Sequence, residues 1–446
     1  MLQSGRALRN GAGGKDAQGK VAAVAATLQR ESGGPDSSFK EEEQIMEKQA
    51  LKGIRVLDFT TMAAGPLASA MMADFGAEVI KVERPGRGDD GRKFPRMVDG
   101  GSVGFCWFNR GKKSLCVDLG TPEGVEVIRR LLPSVNVVLE NFRPGVMKRL
   151  GLDYEAVKAI RPDIVYGSLT TYGQEGKFIQ KPGYDIVAQA MSGLMSITGE
   201  ADGDPQKSGA PLGDLIGGLN LYTSVLTALY HWRDTGEGQY VDVSLLRTLI
   251  YMNSPLNHCN FGEAAASRRQ GNHHPTMAPY GLFKCRKGSL IIGAAGKSIW
   301  ENLCTLMGRE DLKTDPDYLE VTDRARNQKK LIPLIEQWLK DTYADSDEAQ
   351  AALDAGGVPC AQVYDQWQVF NEPEFRKLGW IRQVPAMPGM EHMPTFWDRA
   401  GNCNMSETPP EFFRAPLLGE HTEELMKSVG YSQEEIGEVK ARWTMK

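Results

Sequence analysis

No run of eighteen consecutive apolar residues occurs in the 446-residue chain, which excludes an ordinary membrane-spanning helix and makes a membrane partner unexpected. Positive charge is not in excess either. Lysine and arginine number 52 against 57 aspartates and glutamates, a net charge of −5, so no global field holds nucleic acid. An anionic ligand therefore needs a local site. The seven cysteines (Cys106, Cys116, Cys259, Cys285, Cys304, Cys360, Cys403) are scattered and contain no CxxC pair. Together with histidines that never fall at metal-ligand spacing, this excludes a disulfide framework and a structural zinc, and makes a reducing cytoplasm the expected compartment. At roughly 150 residues per domain the length allows two or three domains.

Residues 1–45 differ from the rest. A Gly-rich basic stretch is followed by the polar GGPDSSFKEEEQI, and neither has apolar residues to bury, so a disordered or non-native extension is expected. No apolar signal core is present, and a mitochondrial leader fits poorly with the acids. Purine-rich codons for Lys40 to Glu43 would look like a ribosome-binding site read in frame, which makes Met46 the expected natural start.

From Leu51 the pattern alternates. GIRVLDF (Gly53 to Phe59), AEVIKVE (Ala77 to Glu83), SLCVDL, VNVVLENF and DIVYGSL are short runs of strand character, and GPLASAMMADFG, PEGVEVIRRLL and DYEAVKAI between them have helical character. Strands separated by helices predict βαβ units: an α/β fold with a doubly wound, Rossmann-like parallel sheet and ligands at the carboxyl ends of its strands. IVAQAMSGLMSI and GDLIGGLNLYTSVLTALYHWRD continue as helix. The expected boundaries are a large domain over 46–247, a smaller α/β domain over 248–357 containing the hairpin GLFKCRKGSLIIGA, and a return segment over 358–446 that completes the large domain.

Three features are weaker than they look. Gly86-Arg87-Gly88-Asp89-Asp90-Gly91 matches GxGxxG after a strand, but no helix follows and two aspartates would face a pyrophosphate; a plain surface loop is the better reading. His273 and His274 are adjacent on a loop, where two rings seldom reach one ion, so no metal is expected. Cys116 and Cys360 have no neighbouring base, and packing explains them.

Several motifs in order, FTTMAAGPLASAMMADFGAEVIKVERPGRGDD, NRGKKSLCVDLGTPEG, VLENFRPGVMKRLGL, KPGYDIVAQAMSGLMSITG, PLGDLIGG and APLLGEHTEELMKSVGYSQEEI, resemble the class III coenzyme A transferases. These include formyl-CoA:oxalate and carnitine CoA-transferases, with α-methylacyl-CoA racemases as relatives. The resemblance spans about Leu51 to Glu435. It implies two protomers interlocked into a homodimer, acyl-CoA and small carboxylic acids as partners, coenzyme A as a substrate, and no permanently bound cofactor.

The resemblance puts the family's nucleophilic aspartate on Asp214. The residues themselves add that a carboxylate preceded by Gly213 and followed by a helical run sits at a helix N-terminus, where free N–H groups and the dipole are expected to keep it ionised, although a plain N-cap would look the same. A carboxylate attacks a thioester to give a mixed anhydride and CoA thiolate, and the thiolate then attacks the aspartyl carbonyl to give an aspartyl-CoA thioester. Backbone N–H groups near Asp214, including those of Gly217 and Gly218, are expected to stabilise the oxyanions. CoA binding is implied for Met62, Ala63, Arg84, Val117, Asp118, Leu119, Asn141, Phe142, Arg149 and Leu150, with the arginines on phosphates and Phe142 or Leu150 against adenine.

Departures narrow the substrate. Ala63 stands where formyl-CoA transferases carry glutamine, Pro182 where they carry lysine, and Gly271-Asn272-His273-His274-Pro275 occupies the region of their glycine run, which argues against oxalate. Tyr184 stands where racemases have histidine, and a phenol is a poor base at neutral pH, so transfer is favoured over the alternative, a 2-methylacyl-CoA racemase-like isomerase. Tyr184, His273 and His274 are expected on the substrate side of the site, and Asp185 either lines the acceptor pocket there or caps the following helix.

Overall fold

The computed structural model describes residues 49–263, 266–399, 401 and 403–444, so the readings made for residues 1–45 and for Met46 lie outside the described residues. Six strands form one parallel sheet: β1 (Arg55–Asp58), β2 (Glu78–Glu83), β3 (Lys112–Cys116), β4 (Val137–Glu140), β5 (Val165–Thr170) and β6 (Tyr240–Ser244), in the order β3-β2-β1-β4-β5-β6. Strand order reverses between β1 and β4, which opens a crevice at their carboxyl ends. The runs are apolar on both faces because both are covered. Leu57, Ile80, Val138 and Tyr166 enter one core, and Val56, Val79, Val137, Leu139 and Val165 enter the other. The sixth strand was not anticipated from the sequence; YVDVS is a short run between a helix-ending glycine and a helix-capping serine.

Helix α1 (Ala64–Asp74) buries all eleven of its residues. Its small side chains let it lie between the sheet and α2 (Leu212–Thr235). On α2, a Cβ on Gly218 would come 2.5 Å from the Ala64 carbonyl oxygen, and one on Gly217 would come 2.6 Å from Leu245. Gly218 is what allows α1 and α2 to approach, and Gly217 makes room for Leu245. Helix α2 is long and apolar enough to cross a membrane by length and composition, yet Leu221, Val225 and Ala228 are buried in the core against the sheet.

A second unit forms around the antiparallel strands β7 (Tyr280–Lys284), β8 (Ser289–Gly293) and β9 (Cys360–Gln362), whose core includes Phe283, Ile292, Trp300, Leu331 and Leu353. Strand β9 carries this unit past residue 357. The chain then returns. A hairpin of β10 (Ile381–Pro385) and β11 (Thr395–Arg399) packs Val384 and Phe396 onto Phe105 and Cys106, and two terminal helices place Leu425, Met426, Ile436 and Trp443 in the large core beside Leu115 and Val127.

Candidate active site

At the strand-order reversal lies an open cleft of about 290 Å³, lined by Phe59 and Thr61 after β1, Val82 to Arg84 at the end of β2, Val117 to Gly120 after β3, and Phe142 and Leu150 beyond β4. Six of the residues expected to hold CoA are brought together here: Arg84, Val117, Asp118, Leu119, Phe142 and Leu150. Arg84 is exposed at the rim, with its guanidinium 3.6 Å from the Asp90 carboxylate. Arg149 is not among the lining residues; it belongs to a short helix, Val146–Leu150, where its guanidinium lies near Gly145.

The remaining expected residues shape the loop between β1 and α1. Asn141 accepts from the Thr61 N–H at 2.8 Å and donates to the Thr61 carbonyl at 2.9 Å, so it orients this loop rather than lining the cleft. Met62 has a φ of 71°, in the left-handed region, and Ala63 is the N-cap of α1 with no side-chain bond to its first turn. Loop and helix start lead directly to Ala64, whose carbonyl abuts Gly218, one turn after Asp214 on α2. The cleft and Asp214 are thereby joined through residues 59–64.

Asp214 lies in the first turn of α2, half-buried. Here the expected pull of the helix start toward the ionised form is opposed by burial, although a carboxyl at about 6 is still largely ionised at neutral pH. The Gly213 N–H donates instead to Asp185 at 2.6 Å, and burial, with the Asp185 charge second, pushes the Asp214 carboxyl up to about 6. Asp185 is itself fixed by the Gln189 amide at 2.7 Å, and Gln189 accepts from the Ser208 N–H. It does not cap its own helix, Asp185–Met191, whose N-cap is Tyr184. The N–H groups of Gly217 and Gly218 lie beyond the first turn of α2, inside the helical hydrogen-bond ladder, so they are not free to meet an oxyanion.

Tyr184 is 73% exposed. His273 lies edge-on to Phe283 and His274 edge-on to Tyr280. Neither has a hydrogen bond or ring contact with Asp214, Asp185 or Tyr184 among the described residues, and their loop is tied to Gly199 instead.

The GRGDDG stretch is not a plain surface loop. Asp89 is 3% exposed and pairs at 2.6 Å with Lys81, which is fully buried; Asp89 accepts from the Met62 and Gly91 N–H groups, and its own N–H donates to Glu83. Lys81 also donates to the Thr60 carbonyl. Beneath them Asp58, 3.0 Å from the buried Lys112, accepts from the Thr60 N–H, and burial pushes the Lys112 ammonium down to about 8. A hydrophilic string gave no sign of this burial. The nearest signal is Lys81 itself, a charge in the middle of the apolar run AEVIKVE.

The model of CoA-transferase family III matches residues 51–422. Among curated proteins, the succinyl-CoA:glutarate CoA-transferase of Homo sapiens is 34% identical over 87% of this chain and 88% of its own length. The succinyl-CoA:mesaconate CoA-transferase of Haloarcula hispanica is 36% identical over 85% and 96%. The formyl-CoA:oxalate CoA-transferase of Rhodopseudomonas palustris is 32% identical over 88% and 96%. Among solved structures, a CAIB/BAIF family protein from Brucella suis superposes with a TM-score of 0.73 at 32% identity, covering 86% of this chain and all of that one. Rv3272 from Mycobacterium tuberculosis gives 0.75 at 30%, covering 84% and 98%.

Proposed function

The chain belongs to CoA-transferase family III and transfers CoA between acyl-CoA and carboxylate partners, and within that activity we propose that Asp214 is the nucleophile and that the acids exchanged are small dicarboxylates. The observation that supports this reading is the close approach of Gly218, one turn after Asp214 on α2, to the carbonyl of Ala64, which follows the loop that lines the cleft. Asp214 attacks the thioester carbonyl, the C–S bond breaks, and CoA leaves as thiolate. The thiolate attacks the aspartyl carbonyl of the mixed anhydride, which frees the donor acid and leaves an aspartyl-CoA thioester. The acceptor carboxylate then attacks that thioester, releasing the thiolate, and the thiolate takes the acceptor acyl group from the second anhydride and restores Asp214. Each attack puts charge on an oxygen. In the first turn of α1, which has no side-chain cap, Pro66 has no N–H and Leu67 donates to the Ala63 carbonyl, so the Ala64 and Gly65 N–H groups are the candidate donors in place of Gly217 and Gly218.

The dicarboxylate reading draws on relatives named for succinyl-CoA with glutarate or mesaconate. Ala63 and Pro182, in place of the glutamine and lysine of formyl-CoA transferases, argue against oxalate. Incubating the protein with succinyl-CoA and a panel of acids, followed by mass spectrometry of the CoA esters, tests it. Glutarate and mesaconate should give new esters; transfer confined to monocarboxylates or to oxalate would overturn the reading. An interlocked homodimer is part of the same proposal, supported by Tyr251, Phe261 and Trp367, which are 87%, 83% and 72% exposed in a single chain. A monomer by light scattering would refute it.

A further inference from the structure

We propose that Asp89 is a positioning residue for CoA binding, holding the β1–α1 loop in a left-handed bend at Met62 that the chain would otherwise abandon. The inference rests on the reading of the cleft at the strand-order reversal as the CoA site. Each residue of the bend is tied from outside the loop. The Thr60 carbonyl accepts from Lys81 at 2.8 Å, Thr61 is held at both polar groups by Asn141, and the Met62 N–H donates to Asp89 at 3.0 Å. Asp89 is in turn fixed by Lys81 at 2.6 Å and by its own N–H to Glu83 at 3.0 Å. The Glu83 carboxylate is anchored by Arg92 at 2.6 Å and by the Ser114 hydroxyl. The clamp thus runs from the ends of β2 and β3 to the loop.

A non-glycine residue at a φ of 71° is strained, and such strain persists only where its surroundings over-determine it. What the strain maintains is visible in the cleft. Phe59 and Thr61 line it from the loop and Asp89 lines it beside them, bonded to the Met62 N–H, so the bend sets how the loop meets the segment after β2 in the cleft wall. Without Asp89, Met62 returns to negative φ in most molecules, Thr61 moves, and only the fraction still bent binds CoA; the apparent affinity falls by that fraction. Glycine at position 62 visits both signs of φ with similar ease, so it needs the clamp less.

Free CoA, titrated calorimetrically into the full chain, is the probe. Asp89→Ala alone strands the buried Lys81 charge, so the clamp is removed as the pair Lys81→Met/Asp89→Ala. Removal should weaken CoA binding about five- to thirtyfold in a Met62→Ala background and about threefold or less in a Met62→Gly background, because left-handed backbone costs alanine but not glycine. A merely structural role would lower the melting temperature and leave both affinities alone. The same weakening in both backgrounds, or none in either, would overturn the proposal. If the clamp-free chain does not fold, the two Met62 variants with Asp89 intact decide. Met62→Gly should melt above Met62→Ala, and the reverse order would show that no strained bend is being held. Binding that ignores Arg84→Ala would sink the reading of the cleft itself, and the melting order would still judge the bend.

Discussion

The Gly213 N–H donates to the Asp185 carboxylate across 2.6 Å, so the helix start that carries Asp214 is shared by two acids. Burial and then Asp185 raise the Asp214 carboxyl to about 6. Transfer, measured as kcat/KM for the acyl-CoA, should therefore fall as pH drops through about 6, because only the ionised carboxylate attacks. Asp185→Asn keeps an acceptor for Gly213 and removes the charge. Its acid limb should move to lower pH; an inflection that stays in place would show that Asp185 does not tune Asp214.

The same shift has a cost in stability. Asp214 binds its proton more tightly in the folded chain, about 6 against an ordinary 3.8, so stability falls as pH rises between these values and the cost is complete above about 6. Asp214→Asn should resist urea better than the parent at pH 8 and no better near pH 4. A variant less stable than the parent at pH 8 would contradict this origin of the shift.

Arg84, at the rim of the cleft, is assigned to binding rather than chemistry. A charge-assisted bond to phosphate is worth about 1.5–3 kcal/mol, so Arg84→Ala should raise KM for the acyl-CoA roughly ten- to hundredfold with little change in kcat. A change confined to the KM of the acceptor acid would move Arg84 out of the CoA site.

Tyr184 offers no base for α-proton removal. The unmodified protein, incubated with a chiral 2-methylacyl-CoA in deuterated water, should neither racemise it nor take up deuterium while it passes CoA to an added acid. Deuterium at the α-carbon, appearing as fast as transfer, would favour the isomerase.

The alternation of strand and helix from Gly53 to Thr170 was legible because buried parallel strands are written as short apolar runs, whereas the cleft residues were reached through the family resemblance, which put them at the ends of those runs. The order of the strands was not, since side-chain period carries no record of which strand lies beside which. The loop clamp was also hidden: Asp89 sits in a string as polar as any surface turn, and its pairing with Lys81 and its bonds from the Met62 and Gly91 N–H groups, which explain its burial, appear only in the fold. The role expected for Gly217 and Gly218 failed for a similar reason. Read along the chain they look like flexible donors, whereas in three dimensions Gly218 is the contact of α2 with α1 and Gly217 makes room for Leu245. Asp214 was found correctly at a helix start, but its electrostatics depend on Asp185, which reaches it only through the fold.

The central claim is that Asp214 carries the acyl group and then CoA. Hydroxylamine added during turnover on succinyl-CoA cleaves activated acyl groups, and peptide mass spectrometry locates the product. The account predicts inactivation in step with a hydroxamate on Asp214, formed only when acyl-CoA is present and absent from Asp214→Ala. A hydroxamate on another residue, or undiminished transfer by Asp214→Ala, would contradict it.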